Sequence, residues 1–240
     1  MVVEVEGIVV NDVDYGETSK VITVLTKNAL IGIMAKGCKS LKSSIRSCAD
    51  KLTYGKFYIK FKEGKLSTLN SFDNYGSFRN IRSDIVKLSY TMYLLDLSYQ
   101  VAKENFREDI FDTLISGIKK IDEGFDPLII TNIIELKYLE ILGVMPVLDK
   151  CAVCSSKNGI IGLSSDKGGY VCHKCFNNDL VVSDKTIKLI RMYYYVDISK
   201  ISNLNVTKNV CNEINRFIDL YYDRYTAIYL NSKRFARDLN

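Results

Sequence analysis

Apolar and polar residues alternate with a period of two over residues 3–13 and 20–26, where Val, Ile and Thr dominate. The pattern predicts two strands, broken by the turn-forming Asp14-Tyr15-Gly16-Glu17. A third strand is expected over 30–35. Two more are expected over about 54–62 and 66–72, joined by a hairpin turn at Glu63-Gly64-Lys65. Five short strands in about 75 residues fit a small barrel of the OB kind. After Arg82 the period lengthens: Ile81, Ile85, Leu88, Met92 and Leu95 recur at helical spacing, as do Phe111, Leu114, Ile115 and Ile118. Asp126-Pro127 reads as an N-cap followed by proline at the first helical position, opening a helix through Leu139 and Leu142 that stops at Gly143. Ser183-Asp184 and Thr207 open two further helices, the last with Val210, Ile214, Phe217, Ile218, Tyr221 and Tyr225 on one face. The expected fold is α+β: an N-terminal OB-fold β-barrel over 1–79, then an α-helical domain over 80–240. That domain carries a four-cysteine zinc ribbon or knuckle at about 149–180.

Composition narrows the function. The single histidine, His173, sits inside a cysteine cluster, so no free imidazole is available as the base of a nucleophilic relay. No apolar run approaches the roughly 18–20 residues a membrane span requires. Glu4 and Glu6 stand where a signal peptide carries positive charge, so a cytoplasmic protein is expected. The formal charge of +5 is unevenly spread, with basic segments on either side of an acidic middle at 81–150.

Of seven cysteines, four form two Cys-x2-Cys pairs, Cys151/Cys154 and Cys172/Cys175, separated by seventeen residues with Gly168-Gly169 before the second pair. Each pair sets two thiolates on one side of a tight turn, and four sulfurs complete the closed tetrahedron that zinc favours. A catalytic zinc keeps a position open for water, so one structural Zn2+ is expected. No βαβ context accompanies the pairs, as a thioredoxin-like redox site requires. His173 lies within the second pair and is expected to be exposed rather than a ligand. A zinc deaminase is excluded because neither half of its H-x-E and P-C-x-x-C signature is present.

Between residues 36 and 62, Lys36, Lys39, Lys42, Arg46, Lys51, Lys56, Lys60 and Lys62 face only Asp50, a net charge of +7. On a strand over 54–62, Lys56, Tyr58, Lys60 and Lys62 share one face, and Phe57, Ile59 and Phe61 point to the barrel core. Cations suit phosphates and interleaved aromatics suit unstacked bases, so Lys36, Lys39, Lys42, Arg46, Lys56, Lys60 and Lys62 are the candidate nucleic-acid contacts. The alternative is a solvated lysine-rich face. Gly32 to Ser40 superficially suggests a phosphate loop, but Cys38 separates the second glycine from Lys39, which removes the NTPase reading.

Glu6-Gly7-Ile8-Val9, Asp14-Tyr15-Gly16-Glu17-Thr18-Ser19-Lys20, Ala35-Lys36-Gly37 and Leu66-Ser67-Thr68-Leu69 resemble the amino-terminal domain of the RecO family of bacterial recombination mediators. Leu142-Gly143, Pro146, Leu148-Asp149-x-Cys151-x2-Cys154 and Gly168-Gly169-x2-Cys172-x2-Cys175 resemble its zinc region, in the same order. Where many members carry L-T-Q-A-E after the last strand, this chain has Leu69-Asn70-Ser71-Phe72-Asp73. The resemblance implies a non-enzymatic role in recombinational DNA repair in the bacterial cytosol, associated with the nucleoid. It implies binding to ssDNA and dsDNA, annealing of complementary strands and, with RecR, loading of RecA onto DNA covered by single-strand-binding protein. A basic groove with Lys188 and Arg191 is a candidate contact for an acidic peptide tail. The rival is a zinc-ribbon transcription or translation factor, which also needs cations and no catalysis.

Overall fold

The computed structural model describes residues 2–62 and 64–239. In chain order these are strands β1 (Val2–Tyr15), β2 (Ser19–Leu25), β3 (Leu30–Ala35), β4 (Tyr54–Lys60) and β5 (Ser67–Gly76) and helices α1 (Arg79–Arg82), α2 (Ile85–Glu104), α3 (Asp109–Glu123) and α4 (Pro127–Ile141). Strands β6 (Ile160–Ser164), β7 (Gly169–Cys172) and β8 (Leu180–Val181) and helices α5 (Asp184–Tyr195), α6 (Lys208–Tyr225) and α7 (Asn231–Asp238) follow. The expected α+β class holds. Glu63, in the expected hairpin turn, lies outside the described residues.

Two compact units partition the chain: Met1–Glu123 with Leu230–Asn240, and Gly124–Tyr229. In the first, five strands close a barrel in the order β1-β2-β3-β5-β4, the OB-like arrangement. β1 serves two neighbours. Its first half pairs with β4 (Val2↔Lys60 to Ile8↔Tyr54) and its second half with β2, with a register shift between Val9 and Asn11. A shift of this kind bends a long strand around a barrel corner. Gly7 and Gly55 face each other in that pairing, and both stand where backbones crowd. A Cβ on Gly55 would lie 2.1 Å from the Asp73 carbonyl oxygen. Val9, Ile22, Val24, Ile33, Phe57, Ile59 and Leu69 fill the interior, each contributing about 1.5–3 kcal/mol when fully buried.

Two expectations need correction here. β4 ends at Lys60, so Phe61 leaves the core face and is 47% exposed. The stripe expected along Ile81 to Leu95 holds only in part: Ile81 and Leu95 are buried, but Ile85 is exposed, and the buried positions of α2 also include Tyr90, Tyr93, Leu94, Leu97, Ser98 and Val101. α2 packs against β1, α1, α3 and α7, so it is enclosed on several sides and has no single apolar stripe. α7, beyond the last helix the periodicity predicts, returns to this unit and packs on α2 with only Ala236 buried.

In the second unit α4 is buried almost all round, from Leu128 to Ile141, and packs against α5 and α6. Its start matches the expectation: the Asp126 carboxylate accepts from the Leu128 and Ile129 amides at 2.8 and 3.3 Å, with Pro127 in the first turn. Ser183 caps α5 through the Thr186 amide, whereas Thr207 stands before α6 without a side-chain cap bond. Asp126→Ala should therefore lower stability by about 1 kcal/mol, read from the denaturant midpoint of the transition that melts α4. Thr207→Ala should change it by no more than a few tenths.

Candidate metal centre and nucleic-acid interface

The second unit builds its sulfur cluster from two loops around a small sheet ordered β7-β6-β8. In the first loop the Ser155 amide donates to the Cys151 carbonyl at 2.9 Å, and Ser155 takes a left-handed φ of 60°. In the second, the Cys175 and Phe176 amides donate to the Cys172 carbonyl at 3.0 and 2.9 Å. Gly169 anchors the sheet to the segment after α4. Its φ is 149°, and a Cβ there would lie 2.2 Å from the Val147 carbonyl oxygen, which accepts from the Tyr170 amide at 2.9 Å. That contact explains the Gly168-Gly169 pair next to the cysteines.

The Sγ atoms of Cys151, Cys154, Cys172 and Cys175 all lie within 4.8 Å of one another, and Cys154 and Cys172 are 3.6 Å apart. Sulfurs bound at about 2.3 Å around a tetrahedral ion sit roughly 3.8 Å apart, so the donor set could hold a metal ion. Burial resists ionisation of the Cys151 thiol, yet amide N–H groups of Cys154, Cys172 and Val153 bring it down to about 6. Burial likewise opposes, and the Cys175 and Lys174 amides outweigh it, at Cys172, which is lowered. A hydrogen bond to Cys154 pushes Cys175 up to about 12. Four thiolates this close repel, so the cluster retains protons unless a cation neutralises it. Lys167 Nζ braces the second loop, donating to the Cys175 carbonyl at 2.9 Å and the Asp179 carboxylate at 2.5 Å. His173 is exposed, its ring packed over Gly159 and outside the sulfur set.

On the barrel, carboxylates sort the candidate cations. Lys56 pairs with Glu4 at 3.0 Å, and Tyr58 donates to Asp73 at 2.8 Å, so the outer face of β4 is largely compensated by its neighbours β1 and β5. Lys60 is exposed at the end of that face, and Lys62 is exposed beyond it in the β4–β5 connection. Lys51 pairs with Asp96 on α2 at 2.6 Å. In the β3–β4 connection, Lys36, Lys42 and Arg46 are exposed and make no ion pair among the described residues. Lys39 pairs with Asp14 near the end of β1 at 2.6 Å, and its hydrogen bond holds the Asp14 carboxyl below the usual range.

Lys20, missed as a candidate, fixes this connection. Its ammonium, on a side chain only 17% exposed, contacts Asp12 at 2.8 Å and Asp50 at 2.6 Å, so the sole acid of the basic stretch is already occupied. Also missed is the outer face of β1–β2–β3. Val21, Thr23, Gly32 and Met34 are partly exposed there, beside Val13, while the alternate residues Ile22, Val24, Ile33 and Ala35 are buried. This face carries no charge; Tyr15 (60% exposed), Leu66 and Lys36 border it. In OB folds the strand 2–3 face takes oligonucleotides. Only the alternation of β2 and β3 hinted at it, because basic residues dominate the sequence signal elsewhere. In the other unit Lys188 and Arg191 are exposed one turn apart on α5, and the Arg191 guanidinium lies over the Tyr195 ring at 6.0 Å.

A family model described as Recombination protein O N terminal matches residues 1–78, and one described as Recombination protein O C terminal matches residues 82–234. The chain is 35% identical over 240 residues to "DNA repair protein RecO" of Bacillus subtilis, covering 98% of this chain and 94% of that protein. It is 34% identical over 244 residues to the protein of that name from Bacillus pumilus, covering 100% and 95%. Its counterpart in Listeria innocua is 31% identical over 240 residues, with coverage of 98% and 94%.

Lys20→Met should strand two carboxylates and release the β3–β4 connection, at a cost of about 1 kcal/mol after solvent screening. Hydrogen exchange should accelerate for the amides of residues 46–52 while β4 remains protected. Unchanged exchange there would show that Lys20 does not hold this segment.

Proposed function

The chain belongs to the RecO family of DNA repair proteins, and from that premise we propose that it acts without catalysis, binding ssDNA and dsDNA and annealing complementary strands. The observation that carries this reading is the uncharged β1–β2–β3 face bordered by unpaired cations of the β3–β4 connection. Bases pack on the apolar face, while Lys36, Lys42 and Arg46 reach phosphates and Lys39 joins them by exchanging its Asp14 partner for one. Neutralising backbone charge lets two strands approach without ATP. Lys60 and Lys62 contribute from the β4–β5 side; Lys56 contributes less, because Glu4 pairs with it. With RecR, the protein helps RecA replace single-strand-binding protein on DNA, and Lys188 and Arg191 on α5 are exposed to meet an acidic peptide tail. A cytoplasmic location follows from these partners; no described helix is long and apolar enough to cross a membrane.

Zinc is the ion we assign to Cys151, Cys154, Cys172 and Cys175. Four sulfurs close its coordination sphere and leave no position for water, so its part is structural. Metal binding of roughly 10 kcal/mol in comparable small sites means that the ribbon's order depends on it.

Single-strand binding should weaken with salt at a log–log slope of roughly −3 for four phosphate contacts. Lys36, Lys39, Lys42 and Arg46 changed together to Ala should abolish most of that slope and the annealing measured by fluorescence of complementary strands. Binding without annealing, equal for complementary and non-complementary strands, would favour a zinc-ribbon regulatory factor instead. Metal analysis should find about one zinc per chain. Cys172→Ser should lose the metal and unravel the ribbon to proteolysis while the barrel still binds DNA. A thiol titration that finds all seven cysteines free in the native protein would contradict the assignment.

A further inference from the structure

A cleft of about 590 Å3 opens on the first unit where the end of the β3–β4 connection meets the β5–α1 junction; Ser47, Asp50, Ser77, Ser83, Arg79 and Arg82 are among its walls. Arg79 and Arg82 stand three residues apart on α1, which places them on one side of the turn. Arg82 is already oriented: its Nε donates to the Ser77 carbonyl at 3.1 Å and an Nη to the Leu52 carbonyl at 3.2 Å. Three of its five N–H groups remain for a ligand. Arg79 is exposed and makes no hydrogen bond or ion pair through its side chain among the described residues. The one acid in the wall, Asp50, is committed to Lys20. Two guanidinium groups and three serine hydroxyls thus surround a space with no free carboxylate.

The scaffold around this cleft is fixed at both ends. Leu52 and Phe78, both buried, adopt left-handed φ values of 67° and 43°, a conformation that costs a bulky residue roughly 1–2 kcal/mol. The first presents the carbonyl that holds Arg82, and the second begins the turn that carries both arginines. Asp122 pins that turn from α3, accepting from the Ile81 amide at 3.1 Å. Asp50 also lines a smaller cleft of about 220 Å3 with Lys39 and Arg46. The cations of the β3–β4 connection therefore continue towards Arg79 and Arg82, along a route separate from the compensated face of β4.

We propose that the Arg79–Arg82 cleft binds a backbone phosphate of single-stranded DNA, extending the β1–β2–β3 interface, on whose reading as a DNA site this inference rests. Guanidinium forks and hydroxyls match the two free oxygens of a phosphodiester, and an open cleft lets a strand pass through. Because the contact is to phosphate, it is indifferent to the base.

The test is a salt titration of full-length protein binding to an oligonucleotide and to an abasic strand of equal length, with the wild type, Arg79→Ala and Arg82→Lys. Arg79 has no internal bond to lose, so its variant should fold normally. It should reduce the log–log slope by about 0.7 and the affinity roughly fivefold at about 0.1 M salt, equally on both strands. Arg82→Lys should lose affinity while keeping its charge. Unaltered slope and affinity for Arg79→Ala, alongside a loss for the variant of residues 36–46, would overturn the cleft but leave the interface standing. A wild type that does not bind would overturn both. A loss confined to the base-bearing strand would contradict a phosphate contact. Inorganic phosphate should not stabilise the wild type over Arg79→Ala in thermal melting; if it does, with DNA affinity equal in both, the cleft serves the free ion and the proposal fails.

Discussion

The Lys20 ammonium, held between Asp12 and Asp50, is the interaction on which the candidate interface depends. Asp12 belongs to β1, Lys20 to β2 and Asp50 to the connection after β3. One side chain thus ties a long irregular segment to the edge of the barrel. It also removes the single negative charge from a stretch of eight cations. Without it, Asp50 would be free to pair with a neighbouring cation such as Arg46 or Arg79, whose clefts it lines.

The same logic operates across the barrel surface. Glu4, Asp14 and Asp96 each take one lysine from the basic stretch, through Lys56, Lys39 and Lys51 respectively. Exposed pairs of this sort add little stability, but they decide which cations remain for an external anion. Positive charge left over lies at Lys60 and Lys62, around α1, and in the β3–β4 connection, where Lys36 borders a sheet face that has no charge of its own. The other unit solves the inverse problem. Its four thiols crowd like groups together, and amide donors lower two of them while a third keeps its proton.

What the sequence disclosed was whatever is encoded locally. Period-two alternation marks the five strands, Asp126-Pro127 marks the start of α4, and two Cys-x2-Cys turns mark a cluster whose spacing alone brings four sulfurs together. Long-range pairing was not legible. Glu4 and Lys56 are 52 residues apart, so the basic face read on β4 gave no sign of its compensation. Tyr90 and Tyr93 on α2 are covered by Arg237 and Lys233 of α7, a helix with three basic residues and one buried alanine that returns from the far end of the chain. Arg79 and Arg82 drew no notice because two arginines on a single turn have no pattern until the carbonyls of Leu52 and Ser77 orient one of them.

The most direct test of this arrangement is hydrogen–deuterium exchange of the full chain with and without a single-stranded oligonucleotide. Binding should slow exchange at residues 15–20, 32–48 and 77–83 and leave residues 56–58 unchanged. Protection centred on residues 56–58, or absent throughout the barrel, would contradict the claim that carboxylate pairing directs the strand to the β1–β2–β3 face and the cleft beside α1.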